Sequence, residues 1–274
     1  MAQGSIVPDV NGVPWMNRNF LALPKKQCDL KAARVVVIPI PYDSTTSFHS
    51  GTRDGPGAII EASYGLEDYD PELDLDVSQV GIHTTEMVEP HMGGPAPMVE
   101  RVRRAVSQYV RMKKIVGVVG GEHSVAIGSV QAHLEAYPDL SVLYLDAHAD
   151  LRDEYMGTPW GHASGARRIH QLCSLVLVGV RSLCQEEQAY IRSQEIPCFA
   201  WPPPTGDNFH IREIIERLGP TVYVSLDLDV LDPSVMAAVG TPEPGGMDWY
   251  QVTALLRGVA ESRRVVGFDV CELS

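Results

Sequence analysis

Three apolar, β-branched runs in this chain each end in side chains of the metal-ligating kind. They are Val118-Val119-Gly120-Gly121-Glu122-His123, Leu143-Tyr144-Leu145-Asp146-Ala147-His148-Ala149-Asp150 and Val224-Ser225-Leu226-Asp227-Leu228-Asp229. In extended backbone, alternate residues share one face. The spacing therefore predicts that Asp146, His148 and Asp150 point one way, and that Asp227 and Asp229 do the same. With His123, four carboxylates and two imidazoles then meet at the ends of neighbouring strands. Acids packed this closely repel unless cations sit among them. The pattern predicts a hydrolase site for two metal ions.

The rest of the chain supplies a frame for such a site. Strand-like runs cover 34–40, 115–119, 141–145, 175–180, 221–226 and 265–270, and helix-like stretches cover 56–62, 97–112, 124–136, 165–172, 185–193, 211–218 and 249–262. Several strand runs are continuously apolar, as strands covered on both faces are. The alternation predicts a three-layer α/β/α fold with a mainly parallel central sheet. Ligands in such sheets collect beyond the carboxyl ends of the strands, where all three motifs fall. Residues 1–30 are polar and irregular and read as an N-terminal arm, with residues 31–274 as the catalytic domain. The stop at Ser274, directly after a strand run, predicts either an edge strand or a chain that ends short of a closing helix; the second is the expectation.

Lys plus Arg number 22 against 35 Asp plus Glu, a net charge of −13. That balance disfavours a nucleic-acid partner. No apolar run approaches the roughly 20 residues that span a bilayer, and the first 15 residues lack the basic and apolar regions of a secretory signal. The expectation is a cytoplasmic protein without a membrane partner. The cysteines at 28, 173, 184, 198 and 271 form no C-x-x-C pair, so a structural zinc site is not expected. Carboxylates with imidazoles suit Mn²⁺, with Fe²⁺, Co²⁺ and Zn²⁺ as alternatives. A pair of ions about 3.5–4 Å apart needs bridging carboxylates and can bring a shared water towards ionisation at neutral pH.

The segments Gly120-Gly121-Glu122-His123-Ser124, Asp146-Ala147-His148-Ala149-Asp150 and Ser225-Leu226-Asp227-Leu228-Asp229, followed by Asp232-Pro233 and Thr241-Pro242-Glu243-Pro244-Gly245-Gly246, resemble the signature motifs of the ureohydrolase (arginase/agmatinase) family. The resemblance runs from about residue 34 to the end. It implies an arginase-like α/β/α fold, two Mn²⁺ per chain and a homotrimer or homohexamer. One ion would take His123, Asp146, Asp150 and Asp227; the other would take His148, Asp146, Asp227 and Asp229, with Asp146 and Asp227 bridging. A bridging hydroxide would attack the guanidinium carbon and release urea and an amine. His162 resembles the family's loop histidine, a proton shuttle to the leaving amine, and Glu272 the carboxylate that pairs with the guanidinium. The stretch 41–56 resembles a Gly-rich loop of the family, to be read as a pocket wall or as plain turn chemistry.

The resemblance implies a small guanidino compound as substrate. The loop 151–162 lacks the Ser-Gly-Asn-x-His arrangement of arginases and looks more like agmatinases, which implies hydrolysis of agmatine to putrescine. Asp153, Tyr155 and Trp160 are the candidates for receiving the ammonium end, by charge and by cation–π contact. Arg53 and Arg152 as carboxylate receivers would favour an acid substrate such as guanidinobutyrate or guanidinopropionate. A single-zinc deacetylase of the same fold type and an inactive binding subunit are the other readings.

Overall fold

Strand runs that are apolar at every position demand cover on both sides, and the computed structural model, which describes residues 16–203 and 210–274, provides it. The elements in chain order are α1 (Lys25–Cys28), β1 (Val35–Ile40), α2 (Gly55–Ala62), β2 (Tyr69–Asp70), β3 (Leu75–Asp76), β4 (Ile82–Thr84), α3 (Pro95–Arg111), β5 (Ile115–Gly120), α4 (Val125–Leu134), β6 (Leu140–Leu145), α5 (Gly165–His170), β7 (Ser174–Val178), α6 (Gln185–Ser193), β8 (Cys198–Phe199), α7 (Ile211–Arg217), β9 (Thr221–Asp227), α8 (Trp249–Ser262) and β10 (Arg264–Cys271). Eight strands form one sheet in the order β4-β1-β5-β10-β9-β6-β7-β8, and every pairing in it is parallel. β2 and β3 form a separate antiparallel pair.

Alternate strand residues feed two cores. Val142, Tyr144 and Tyr223 pack with Ala126, Val130, Ile169 and Ile191 of α4, α5 and α6. Val36, Ile38, Val116 and Val118 join the same side under α3 and α4. Leu143, Leu145, Val222 and Val224 face the other way, onto Ile214 of α7 and Val252, Leu255 and Val259 of α8. The three-layer architecture read from the sequence is the one observed. Among the described residues, no helix is long and apolar enough to cross a membrane.

The edge-strand alternative for the end of the chain is excluded. The last strand lies in the interior of the sheet, hydrogen-bonded to β5 on one side and β9 on the other, and is not an edge. The edges are β4 and β8, three and two residues long, too short to show a period in the sequence. Residues 1–15 lie outside the described residues. The later part of the arm packs on the sheet, with Leu23 buried against Val37, Ile82 and Val119.

A register shift between Val265 and Gly267 breaks β10 where α4 crosses it. There the fully buried His133 ring fills the space a side chain at position 267 would need; a Cβ on Gly267 would sit 2.6 Å from His133 Cε1. His133 Nδ1 bonds the Ser129 carbonyl at 2.8 Å, while Nε2 has no partner. Burial pushes the imidazole down to about 4 from its ordinary 6.5. The fold thus favours the neutral ring, so this contribution is complete above pH 6.5 and is lost as the pH falls towards 4. Between those limits the wild type should lose about 3 kcal/mol of stability that His133→Met does not lose. Denaturant titrations of both proteins at intervals across that range measure the difference.

Candidate active site and metal centre

The four middle strands deliver the polar residues. β5 runs out through Gly120 and Gly121 to His123, β6 to Asp146, β9 to Asp227 and Asp229, and β10 to Glu272. Gly121 is needed where strand exits cross: a Cβ there would lie 2.7 Å from the Tyr42 carbonyl carbon. Its N–H donates to Ile40 O at 2.9 Å and its carbonyl accepts the Glu272 N–H at 2.9 Å.

The donors converge as the sequence predicts, but not by strand alternation. β6 stops at Leu145, and Asp229 sits in a 3₁₀ turn over Leu228–Val230. Asp146 Oδ1 instead accepts the backbone N–H of His148 at 2.6 Å, and Asp227 Oδ1 that of Asp229 at 2.8 Å. Each D-x-H or D-x-D step is an Asx turn, which curls the chain so that residues i and i+2 meet. Asp150 completes the curve in left-handed backbone, at φ 50°.

Two donor sets share Asp146. His123 Nδ1 faces Asp146 Oδ2 at 3.0 Å, Asp227 Oδ2 at 3.2 Å and Asp150 Oδ2 at 3.7 Å. His148 Nδ1 faces Asp229 Oδ2 at 2.9 Å and Asp146 Oδ1 at 3.4 Å. The two oxygens of Asp146 therefore address different imidazoles, the arrangement a bridging carboxylate needs. Asp227 turns Oδ2 to His123, while its Oδ1 accepts the Asp229 N–H as Asp146 Oδ1 accepts that of His148. The first set is fully buried, whereas His148 is partly open to solvent.

The electrostatics call for added positive charge. Burial, then the charge of neighbouring carboxylates, pushes the Asp150, Asp227 and Asp229 carboxyls above their usual range. Asp146 is buried too, yet hydrogen bonds from both imidazoles outweigh that and hold it below the usual range. Against burial, the carboxylates raise His123 well above its ordinary value and His148 to about 12. Imidazolium protons thus balance part of the acid charge, and a pair of divalent cations would balance it more fully. The donor types and their arrangement fit two such ions.

Glu272, also left-handed at φ 70°, is buried beside this cluster. Its Oε1 accepts the His123 N–H at 2.7 Å, and burial raises its carboxyl to about 8. His162, in a 3₁₀ turn over His162–Ser164, rests against the 41–56 loop. Thr45 Oγ1 lies 3.1 Å from its Nδ1 and Ser47 Oγ 3.2 Å from its Nε2. Burial first, and then the His148 charge, lowers its pKa to about 4. Glu122 clamps the loop by accepting the N–H groups of Ser44 and Thr45 at 2.6 and 2.7 Å.

The substrate-loop expectations fare differently. Asp153 pairs with Arg168 and, at 3.9 Å, with Arg167, so its charge is already matched by helix α5. The ring of Tyr155 meets His162 edge-on at 6.1 Å, but Arg152 lies over it at 4.8 Å. One face of the ring expected to receive the substrate is therefore taken by the protein's own guanidinium. Trp160 is half-buried in the same loop, its backbone N–H donating to Thr158 Oγ1 at 3.2 Å. Arg53 is engaged by Asp43. A cleft of about 190 Å³ opens onto His148 and Asp150 and is walled by Arg152, Ser182, Leu183 and Cys184.

Several contributors carried no spacing signal. The Arg181 guanidinium donates to the carbonyls of Asp229 and Glu243, both at 2.7–2.8 Å, and ties the β7 and β9 exits together. Ser225 Oγ lies 2.8 Å from His123 Nε2 and donates to Asp269 Oδ1 at 3.0 Å, backing the imidazole with a buried acid. The buried Tyr144 hydroxyl donates to Asp150 Oδ2 at 2.8 Å, and its ring stacks on His123. Partners of this kind orient metal ligands and govern affinity by about 10–100-fold. Tyr144→Phe is expected to weaken divalent-cation binding at the His123 donor set by about 10-fold and leave the His148 set unchanged. Mn²⁺ titration followed by electron paramagnetic resonance reads the two steps separately.

A parallel sheet whose four middle strands end in shared carboxylate–imidazole sets defines a candidate metallohydrolase centre. The arginase family model matches residues 33–274, and the chain belongs to the arginase family. It is 41% identical over 256 residues to the N(1)-aminopropylagmatine ureohydrolase of Thermus thermophilus, covering 93% of this chain and 87% of that one. It is 33% identical over 253 residues to the agmatinase of Pyrococcus horikoshii, covering 90% and 86%. The crystal structure of the agmatine ureohydrolase of Thermoplasma volcanium superposes with a TM-score of 0.83 at 29% identity, over 94% of this chain and 86% of that one. Such relatives make this chain an agmatinase-like ureohydrolase by descent.

Proposed function

We propose that this enzyme hydrolyses the guanidino group of a guanidinoalkyl amine, agmatine to putrescine and urea, with two Mn²⁺ per chain. The observation that carries the reading is Asp146, whose two oxygens address the His123 and His148 sets at 3.0 and 3.4 Å. Two Mn²⁺ held by His123, Asp146, Asp150, Asp227, His148 and Asp229 would supply hydroxide at neutral pH. Every other part belongs to the chain. Glu272 receives the planar guanidinium and Glu243, whose Oε1 is 3.6 Å from His148 Nε2, adds negative charge at the mouth. His162, its pKa lowered to about 4 by burial, would take the proton that the attacking water gives up as it bonds to the guanidinium carbon and hand it to the amine as the C–N bond breaks. N(1)-aminopropylagmatine is the second reading, favoured by the 41% identity to an enzyme of that name.

Urea release from agmatine, N(1)-aminopropylagmatine, arginine and 4-guanidinobutyrate, each with and without Mn²⁺, tests the reading. Turnover confined to the two amines supports it; preference for either acid substrate, or no urea from any, sinks it. Glu272→Gln should lower kcat/KM for the better amine by about 100-fold, the scale of one charged hydrogen bond, with two ions still bound. The same reading carries a cytoplasmic homotrimer or homohexamer, which sedimentation and cell fractionation check.

A further inference from the structure

We infer that the opposite end of the sheet holds a binding site for a small, multiply charged phosphate-type anion. Because β1, β5 and β10 are adjacent and parallel, their starts lie together at the end away from the metal centre. Each start brings cations: Lys31 and Arg34 precede β1, Lys113 and Lys114 precede β5, and Arg264 opens β10. All five line one cleft of about 500 Å³, with Tyr137 and no carboxylate in its wall. That volume suits a nucleotide-sized ligand.

The charge there is uncompensated. Among the described residues, none of the five cations pairs with a carboxylate, although the chain carries −13 overall. Nearby Arg103 and Arg111, by contrast, both pair with Glu135. Two of the five are held in place: Lys114 Nζ donates to the Lys31 and Ala33 carbonyls, and Arg264 lies 5.2 Å over the Tyr137 ring. Lys31, Arg34 and Lys113 remain exposed, with their charges free to meet a ligand. Like charges gathered this way repel one another, and an anion with several charges relieves all of them at once. Forked guanidinium groups beside ammonium groups match phosphate oxygens. A long polyanion would also meet the acidic remainder of the surface, so the favoured ligand is small.

The test is calorimetric titration of the full chain, freed of unbound metal, with inorganic triphosphate and separately with ATP. Micromolar binding at 50 mM salt, weakened at least about 10-fold at 300 mM, is the expected result. The double variant R34Q/K113N should bind at least about 10-fold more weakly, whereas R212A, an exposed arginine on α7, should bind as the wild type does. Asn tolerates the left-handed backbone of Lys113, at φ 59°, so unchanged thermal unfolding is expected for the double variant. Equal affinities for triphosphate and ATP assign the site to phosphate alone, and tighter ATP binding adds the nucleoside; both support the site. Binding that survives the double variant, equal binding of citrate, or a self-associated wild type that the double variant dissociates would overturn it.

Discussion

Asp146→Ala is expected to abolish urea release, lowering kcat/KM by at least about 1000-fold, and to leave fewer than two Mn²⁺ bound per chain. The size follows from losing a carboxylate that serves both donor sets, worth several kcal/mol of charge stabilisation. Asp146 Oδ2 lies 3.0 Å from His123 Nδ1 and Oδ1 lies 3.4 Å from His148 Nδ1, so no single neighbour replaces it. Oδ1 also closes the Asx turn to His148 N, and the variant releases that turn. Asp229→Ala removes a carboxylate that faces His148 but not His123, and should cost one ion. Elemental analysis after gel filtration, beside the kinetics, gives both results. Two ions retained in Asp146→Ala with turnover intact would refute the shared-carboxylate centre.

Gly121→Ala should unfold the site from behind. Its Cβ would stand 2.7 Å from the Tyr42 carbonyl carbon and 2.9 Å from Tyr42 N, and backbone cannot swing aside as a side chain can. The expected loss is about 3 kcal/mol or more, at the upper end of overpacking. Ion binding should fall with it, because Gly121's own carbonyl receives the Glu272 N–H and the crowded Tyr42 carbonyl receives that of Glu122. Gly157→Ala is the control. Gly157 also sits at positive φ, 84°, but nothing lies within 4 Å of its Cβ position, so about 1 kcal/mol of backbone strain is expected. Chemical denaturation of the three proteins measures the gap, and equal losses in the two variants would contradict the crowding argument.

The parts of this fold that were legible in the sequence are those buried on two sides. Ile115–Gly120, Leu140–Leu145 and Thr221–Asp227 are apolar at most positions on both faces, and that pattern survives without any partner being known. β4 and β8 pair along one side only and are too brief to leave a pattern. The metal donors were legible because carboxylates ending apolar strands are rare and costly. The reason for their convergence was not, since an Asx turn and an alternating strand place residues i and i+2 together from the same D-x-D spelling. The substrate loop was least legible. Asp153 and Tyr155 look available in a linear reading, and only the fold brings Arg168 and Arg152 onto them. Tyr144 and Arg181 read as a core aromatic and a surface cation, and their roles depend on partners 6 and 48 positions away.

The anchoring of the loops has a consequence for how such an enzyme can be retargeted. The candidate metal ligands hang from the middle strands, whereas the segments around the entrance are pinned separately: by Glu187 on Leu151 N, by Asp232 on the N–H groups of Gly245 and Gly246, and by Glu122 on Ser44 and Thr45. Each pin is a detachable fixture. Exchanging residues 152–160 between their fixed ends should alter which amine or acid tail is accepted while the hydrolytic machinery beneath stays as it was.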